Sequence, residues 1–327
     1  MKSYQVVGIG NAIVDVFTTA DDSFIELMGI EKGIMQLVER DRGEVLYGAM
    51  KDRVQAPGGS VANTLAGLGN LGLTTAFIGR VHDDALGRFY AKTMADNGTD
   101  FVNAPVAGGD LPTSRSMIFV SPDGERSMNT YLGISSELGP VDVSDDVAGQ
   151  AEILFLEGYL YDKPLGKQAF ERAVQLCQAS GGKAGIALSD PFCVDRHRAD
   201  FRRLVKDLDY VIGNEHEWSS LYEADLSSAL EQAAQDSGLV VCTRSGHDVI
   251  VVRGDEQAIV PVHRIVPVDA TGAGDQFAAG FLYGMATGQS LGVCGRMGCV
   301  AAAEVISHFG ARPETDLKAL FRKKGLI

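Results

Sequence analysis

The chain has 327 residues, 45% of them hydrophobic, enough to build a sizeable core in one large α/β domain. Lys and Arg number 29 and Asp and Glu 43, a net charge of −14, which argues against nucleic acid or an anionic membrane as the main partner and leaves room for a small anionic ligand in a local pocket. No apolar run reaches the roughly 18 residues of a membrane span, Met1-Lys2-Ser3-Tyr4 leads straight into a strand, and the five scattered cysteines contain no Cys-x-x-Cys, so a cytoplasmic protein with reduced thiols is expected.

The first strand, 5–9, runs into Gly8-Ile9-Gly10-Asn11-Ala12-Ile13. This nearly matches the dinucleotide fingerprint, but Ile13 stands where the third glycine belongs. Asp15 is a lone acid in the apolar run 12–17. It is either an exposed strand-end residue or a buried acid, and a buried acid needs partners such as sugar hydroxyls. Residues 14–38 hold two short β-like stretches with no strong amphipathic helix between them. Next, Gly58-Gly59-Ser60-Val61-Ala62-Asn63 opens a helix at 61–71. Paired glycines let a ligand approach the backbone, and Asn63 lies one turn in; the plain alternative is Ser60 as a cap with Asn63 exposed. Gly67-x-Gly69-x-x-Gly72 fits the dinucleotide expression in the wrong context, at the end of a helix, and reads as helix termination.

After a strand at 75–78 and a helix at 86–97, residues 112–131 read as a hairpin turning at Ser121-Pro122-Asp123-Gly124. With 14–38 it is expected to form a small sheet that acts as a lid. Strands at 153–156, 184–188, 210–212, 239–242 and 249–252 then alternate with helices at 165–179, 201–208 and 227–236, the pattern of a parallel sheet covered by helices on both faces. Asn214-Glu215-His216-Glu217 follows the strand at 210–212. Its amide and carboxylate, three apart, suit either Mg²⁺ with its waters or a capping box.

The run Val268-Asp269-Ala270-Thr271-Gly272-Ala273-Gly274-Asp275-Gln276-Phe277 opens the helix at 275–286, which a last long helix at 291–307 follows. Three small residues at a helix N-terminus make an anion site by geometry and by dipole. Asp275 puts a carboxylate beside it. That pairing suits a base that takes a proton from a hydroxyl as the hydroxyl attacks a phosphoryl group; the plain alternative is a Gly-rich turn with Asp275 as an N-cap or first-turn acid. The Gly-x-x-x-x-Gly-Lys-Ser/Thr loop and the Asp-Phe-Gly triplet of other phosphotransferases are absent.

Taken together these motifs resemble the ribokinase-like (PfkB) family of carbohydrate and nucleoside kinases over nearly the whole chain. Gly58-Gly59-x-x-x-Asn63 resembles its N-terminal signature, Asn214-x-x-Glu217 its Asn-x-x-Glu motif, and Asp269-x-Thr271-Gly272-Ala273-Gly274-Asp275 its C-terminal signature. The resemblance implies an α/β three-layer sandwich. It would be one domain over 1–327, with a mostly parallel central sheet and β-lid strands inserted at about 14–38 and 112–131.

It also implies roles. Asp275 would be the base, and the N–H groups of Gly272, Ala273 and Gly274 the anion hole. Asp15, Gly58, Gly59 and Asn63 would hold the acceptor. Asn214 and Glu217 would organise Mg²⁺ indirectly. Thr243, Gly246, Ala302 and Ala303 would border ATP. A monovalent cation such as K⁺ would sit near Asp269 and Thr271. Two departures stand out: Ala270 replaces the usual Thr, and Thr243-Arg244-Ser245-Gly246-His247-Asp248 lacks both expected glycines of the nucleotide region. The adenosine kinase branch is suggested by Asp248, by Gln36-Leu37 and by the ending Ala302 to Pro313. Gln36 would then meet a base, with Phe119 or Tyr131 stacking on it. The expected acceptor is a nucleoside, adenosine, with a free sugar (ribose, fructose or 2-keto-3-deoxygluconate) as the alternative, and the expected assembly is a monomer or homodimer.

Overall fold

The computed structural model describes residues 2–327. Its strands in chain order are β1 (Tyr4–Ile9), β2 (Ile13–Thr19), β3 (Met35–Leu37), β4 (Val54–Gly58), β5 (Thr75–Ile78), β6 (Thr99–Phe101), β7 (Ser114–Val120), β8 (Arg126–Tyr131), β9 (Ala151–Glu157), β10 (Lys183–Ala187), β11 (Tyr210–Asn214), β12 (Val240–Arg244), β13 (His247–Arg253) and β14 (Glu256–Val260).

A nine-stranded sheet runs β14-β13-β12-β11-β10-β9-β1-β5-β6. It is parallel from β12 to β6, and the β13–β14 edge is antiparallel. The central strands are apolar on both faces, as a helix-covered parallel sheet requires. On β9, Ile153 and Phe155 enter one core while Leu154 and Leu156 enter the other. The first core is closed by the helices Ser60–Asn70, Ala273–Ala286 and Leu291–Val305, the second by Pro164–Ala179, Pro191–Asp207 and Glu215–Tyr222. The helix Ala273–Ala286 is buried nearly all round. A Cβ on its Gly280 would lie 2.4 Å from the Met297 carbonyl oxygen, so glycine lets the neighbouring helix approach this closely.

The smaller sheet runs β3-β8-β7-β2-β4. On β2, Val14, Val16 and Thr18 are buried while Ile13, Asp15 and Phe17 point the other way. In the large sheet the chain moves from β1 outward to β5, and later from β9 outward on the opposite side. Such a reversal opens a crevice at the carboxyl ends of β1 and β9.

Several elements escape the sequence reading for physical reasons. β4 carries Pro57 and exposed Val54, tolerable on an edge strand with an open N–H side. The helix Asp22–Leu27, inside 14–38, is too short to show a period and is started by its Asp21 cap. Pro191–Asp207 begins well before the expected 201: Asp190 caps it, Pro191 takes the first turn, and a break at His197 interrupts the apolar period. Among the described residues no helix is long and apolar enough to cross a membrane.

Candidate active site

The crevice holds a cleft of about 660 Å³ between the two sheets. Its floor is built where β1 ends. Glu157, the last residue of β9, is 1% exposed. One of its carboxylate oxygens accepts from the Asn11 N–H at 2.8 Å and the Asn11 side-chain amide at 2.7 Å; the other accepts from the Val61 N–H at 3.1 Å. A carboxylate thus caps the helix Ser60–Asn70 from outside its own segment. Ser60 is free of capping duty. Gly59 precedes the helix at φ +94°, where a Cβ would lie 2.3 Å from the Asn11 carbonyl oxygen. Only glycine fits there.

Burial pushes Glu157 up to about 7, against the pull of the Asn11 and Val61 bonds. Glu157→Ala would strip an acceptor from three buried donors, so a loss of about 3 kcal/mol in a urea titration is expected. A loss under about 1 kcal/mol would show that this network does not hold the floor together.

One end of the cleft is built by the loop before the helix Ala273–Ala286. Asp269 accepts from the Thr271 N–H and hydroxyl, from the Gly310 N–H at 2.9 Å, and from Arg126 of the smaller sheet at 2.7 Å. Burial opposes its charge, but these bonds and the Arg126 cation hold it below the usual carboxylate range. Gly272 turns the chain at φ +79°, with Ala311 2.7 Å from where a Cβ would stand. Around Gly274 the same position is open. The Ala273 N–H makes a long turn bond of 3.3 Å to the Ala270 carbonyl.

Asp275 lies one step beyond. One oxygen accepts from Ser60 Oγ at 2.6 Å and the other from Asn63 Nδ2 at 3.0 Å. Burial raises it to about 6, opposed by those two bonds and by Arg312. Asp15 faces the same cleft from β2. Burial raises it to about 7, eased by Arg312 and Arg126 and worsened by Asp275. Gly58 lies behind it; a Cβ there would stand 2.5 Å from the Asp15 carboxylate.

At the far end Asn214 and Glu217 both line the cleft and form a full capping box. Glu217 accepts from the Asn214 N–H and amide, each at 2.7 Å, and burial raises it to about 7. Thr243 lines this end, as does Asp190, which also caps its own helix.

The structure thus brings Asp15, Gly59, Asn63, Asn214, Glu217, Thr243 and the run Thr271 to Asp275 to one cleft. Other expected residues fall elsewhere. Gln36 is turned away: it donates to Asn129 at 2.9 Å, while Met35 and Leu37, its neighbours in a period-two strand, face the cleft. Phe119 and Tyr131 are core residues under the smaller sheet. Gly246 sits in the β12–β13 turn, its carbonyl accepting from Arg264. Ala302 and Ala303 are half-buried on the last long helix and do not line the cleft. Asn11, Glu157, Arg126, Asp190 and Arg312 were not singled out from sequence. Only Glu157, an acid ending an apolar strand just before Gly158, left a readable signal.

The comparisons with known proteins bear on this geometry. The model of the pfkB family carbohydrate kinases matches residues 25–317. The chain belongs to the pfkB family. This kinase superposes on a probable sugar kinase from Rhizobium etli with a TM-score of 0.92, at 42% identity over all of both chains. It superposes on the adenosine kinase from Sinorhizobium meliloti with a TM-score of 0.90, at 45% identity, covering 98% of this chain and 99% of that one. The 5-dehydro-2-deoxygluconokinase of Geobacillus thermodenitrificans is 25% identical over 263 residues, 76% of this chain and 78% of the relative. The pfkB kinase is therefore a sugar or nucleoside kinase on a ribokinase-like α/β fold.

Proposed function

We propose that this pfkB kinase transfers the γ-phosphoryl group of ATP to the hydroxymethyl group of a nucleoside, adenosine. One observation carries the choice of acceptor. The lid turns an apolar wall of Ile13, Met35, Leu37 and Met128 into the cleft, on the side of Asp15. Met35 and Leu37 are 46% and 54% exposed, so the wall is built but uncovered. A flat heterocyclic base matches such a wall, with thioether contacts to its ring, whereas a free sugar has no apolar face of that size. The 45% identical adenosine kinase supports the same reading.

The names of more distant relatives favour a sugar-acid acceptor. The charge on the cleft speaks against it. Among the described residues the only Lys or Arg on the lining is Arg196, which is engaged by both oxygens of Asp162. A sugar acid would set its carboxylate against Asp15 and Asp275, and the two arginines that act on these acids, Arg126 and Arg312, do not line the cleft.

In this reading Asp15 and Asn63 orient the ribose hydroxyls. Asp275, steadied by Ser60 and Asn63, takes the proton of the attacking hydroxyl. The N–H groups of Gly272 and Gly274, with Ala273 once its long turn bond gives way, meet the negative charge on the transferring group. Mg²⁺ bound with the nucleotide supplies neutralisation of the phosphates. Asn214 and Glu217 saturate one another, so they fit its water shell and not the metal itself. A K⁺ ion near Asp269 and Thr271 would have to use backbone carbonyls, since Arg126, Thr271 and Gly310 engage the Asp269 carboxylate.

The test is ADP release from Mg·ATP with adenosine, inosine, ribose, fructose, 2-keto-3-deoxygluconate and 5-dehydro-2-deoxygluconate offered in parallel. Turnover with adenosine at the highest kcat/KM is expected. Turnover with a free sugar alone would overturn the acceptor while leaving Asp275 in place.

A further inference from the structure

Arg312 lies near the end of the run Ala302 to Pro313 and has been given no role of its own, yet it reaches the Asp275 end of the cleft from behind. It lies on the segment after the helix Leu291–Val305, and its two predecessors pin that segment to the site. The Gly310 N–H donates to Asp269, and the Ala311 carbonyl accepts from Gln276 Nε2 at 3.0 Å. The Arg312 side chain then reaches inward. Its Nε donates to Asn63 Oδ1 at 3.3 Å, one Nη lies 3.7 Å from Met94 Sδ, and the other Nη is buried without a partner.

This contact has a directional consequence. A guanidinium only donates, so it requires the oxygen of the Asn63 amide on its own side. The amide nitrogen is thereby turned toward Asp275, which it meets at 3.0 Å. A flipped amide would set two donors against each other and present an oxygen to a carboxylate. The charge matters as well. A buried guanidinium is costly to keep unless negative groups surround it. The negative groups that favour it are Asp15 on β2 and Asp275. Tyr90 on the helix Ala85–Asp96 also faces it, but burial raises its phenol far above the ordinary value and leaves it neutral. Asp15 in turn feels Arg126 from β8, and Asp275 acts on Glu157 from β9.

We propose that Arg312 is a positioning residue for phosphoryl transfer: it fixes the Asn63 amide that holds the base, and its charge lets Asp15 and Asp275 carry negative charge together in one cleft. The proposal rests on Asp275 being the base. It goes beyond that reading by adding a group that touches neither acceptor nor phosphate.

The test is the pH profile of kcat and kcat/KM for wild type, Arg312→Met and Arg312→Lys, with adenosine or whichever acceptor turns over in the panel above. Folding is checked by thermal melting and Mg·ATP binding. Removing a cation makes carboxylates harder to ionise, so the acidic limb of Arg312→Met should move to higher pH by about one unit or more. Its defect in kcat should then shrink as pH rises. Arg312→Lys keeps the charge and loses the fork; its limb should stay within about 0.3 unit while kcat falls equally at all pH values.

An Arg312→Met enzyme with an unmoved limb would overturn the proposal, because a purely structural defect is independent of pH. If that variant does not fold, Arg312→Gln is read the same way. If neither folds, a limb displaced in Arg312→Lys overturns it and an unmoved one supports it. Absence of an acidic limb in the wild type would instead sink Asp275 as the base, so the two failures are distinguishable.

Discussion

Asp275→Asn is expected to bind Mg·ATP and acceptor with near wild-type affinity and to lose kcat by about 10²–10⁴. The substitution keeps the shape: the amide oxygen can still accept from Asn63 Nδ2 while the amide nitrogen donates to Ser60 Oγ, and the side chain can no longer ionise or take a proton. Binding survives because the wall of the lid, Asp15 and the helix N-terminus are untouched. The same assignment gives a pH dependence. The base must be ionised, and burial places Asp275 near 6, so kcat/KM in the wild type should fall as pH drops through about 6. Near wild-type turnover in Asp275→Asn, measured as initial ADP release at saturating substrates, would remove Asp275 from the mechanism.

Asp15→Ala should act on the other half of the reaction. In the proposed reading the Asp15 carboxylate, beside the apolar wall, would accept hydrogen bonds from acceptor hydroxyls. Two such bonds to a charged group, at about 1.5 kcal/mol each, correspond to a rise in acceptor KM on the order of 10²-fold. The KM for ATP should change by less than about threefold, because Asp15 is on the lid side and Asn214, Glu217 and Thr243 are at the opposite end. Equal effects on both constants would make Asp15 a structural residue of β2.

The parts of the site that could be read from sequence are those in which a backbone device and a chemical group are neighbours in the chain. Gly59 before Ser60 and Asn63, and Gly272 before Asp275, announce themselves because a left-handed turn, a helix start and a side chain occur within a few residues. Glu157, Arg126 and Arg312 could not be read that way. Their meaning depends on partners in distant segments: Val61 for Glu157, Asp269 for Arg126 and Asn63 for Arg312.

Gln36 illustrates a different limit. A three-residue strand has no alternation long enough to show which parity faces the ligand, so a polar residue was favoured where Met35 and Leu37 line the cleft. The large sheet was legible for the opposite reason. Its central strands are apolar runs separated by amphipathic helices; the short edge strand β6 with its exposed Asp100, the antiparallel edge and the polar, kinked helix Pro191–Asp207 departed from that pattern.

The central claim is that Asp275 draws a proton from a nucleoside hydroxymethyl group as phosphate arrives. The most direct test follows the ³¹P spectrum of wild type and Asp275→Asn with Mg·ATP and adenosine. The account predicts a phosphomonoester on the 5′ carbon of adenosine, formed in step with ADP by the wild type and nearly absent with the variant. ATP consumed by the wild type without that phosphomonoester, or the same phosphomonoester formed equally fast by Asp275→Asn, would contradict it.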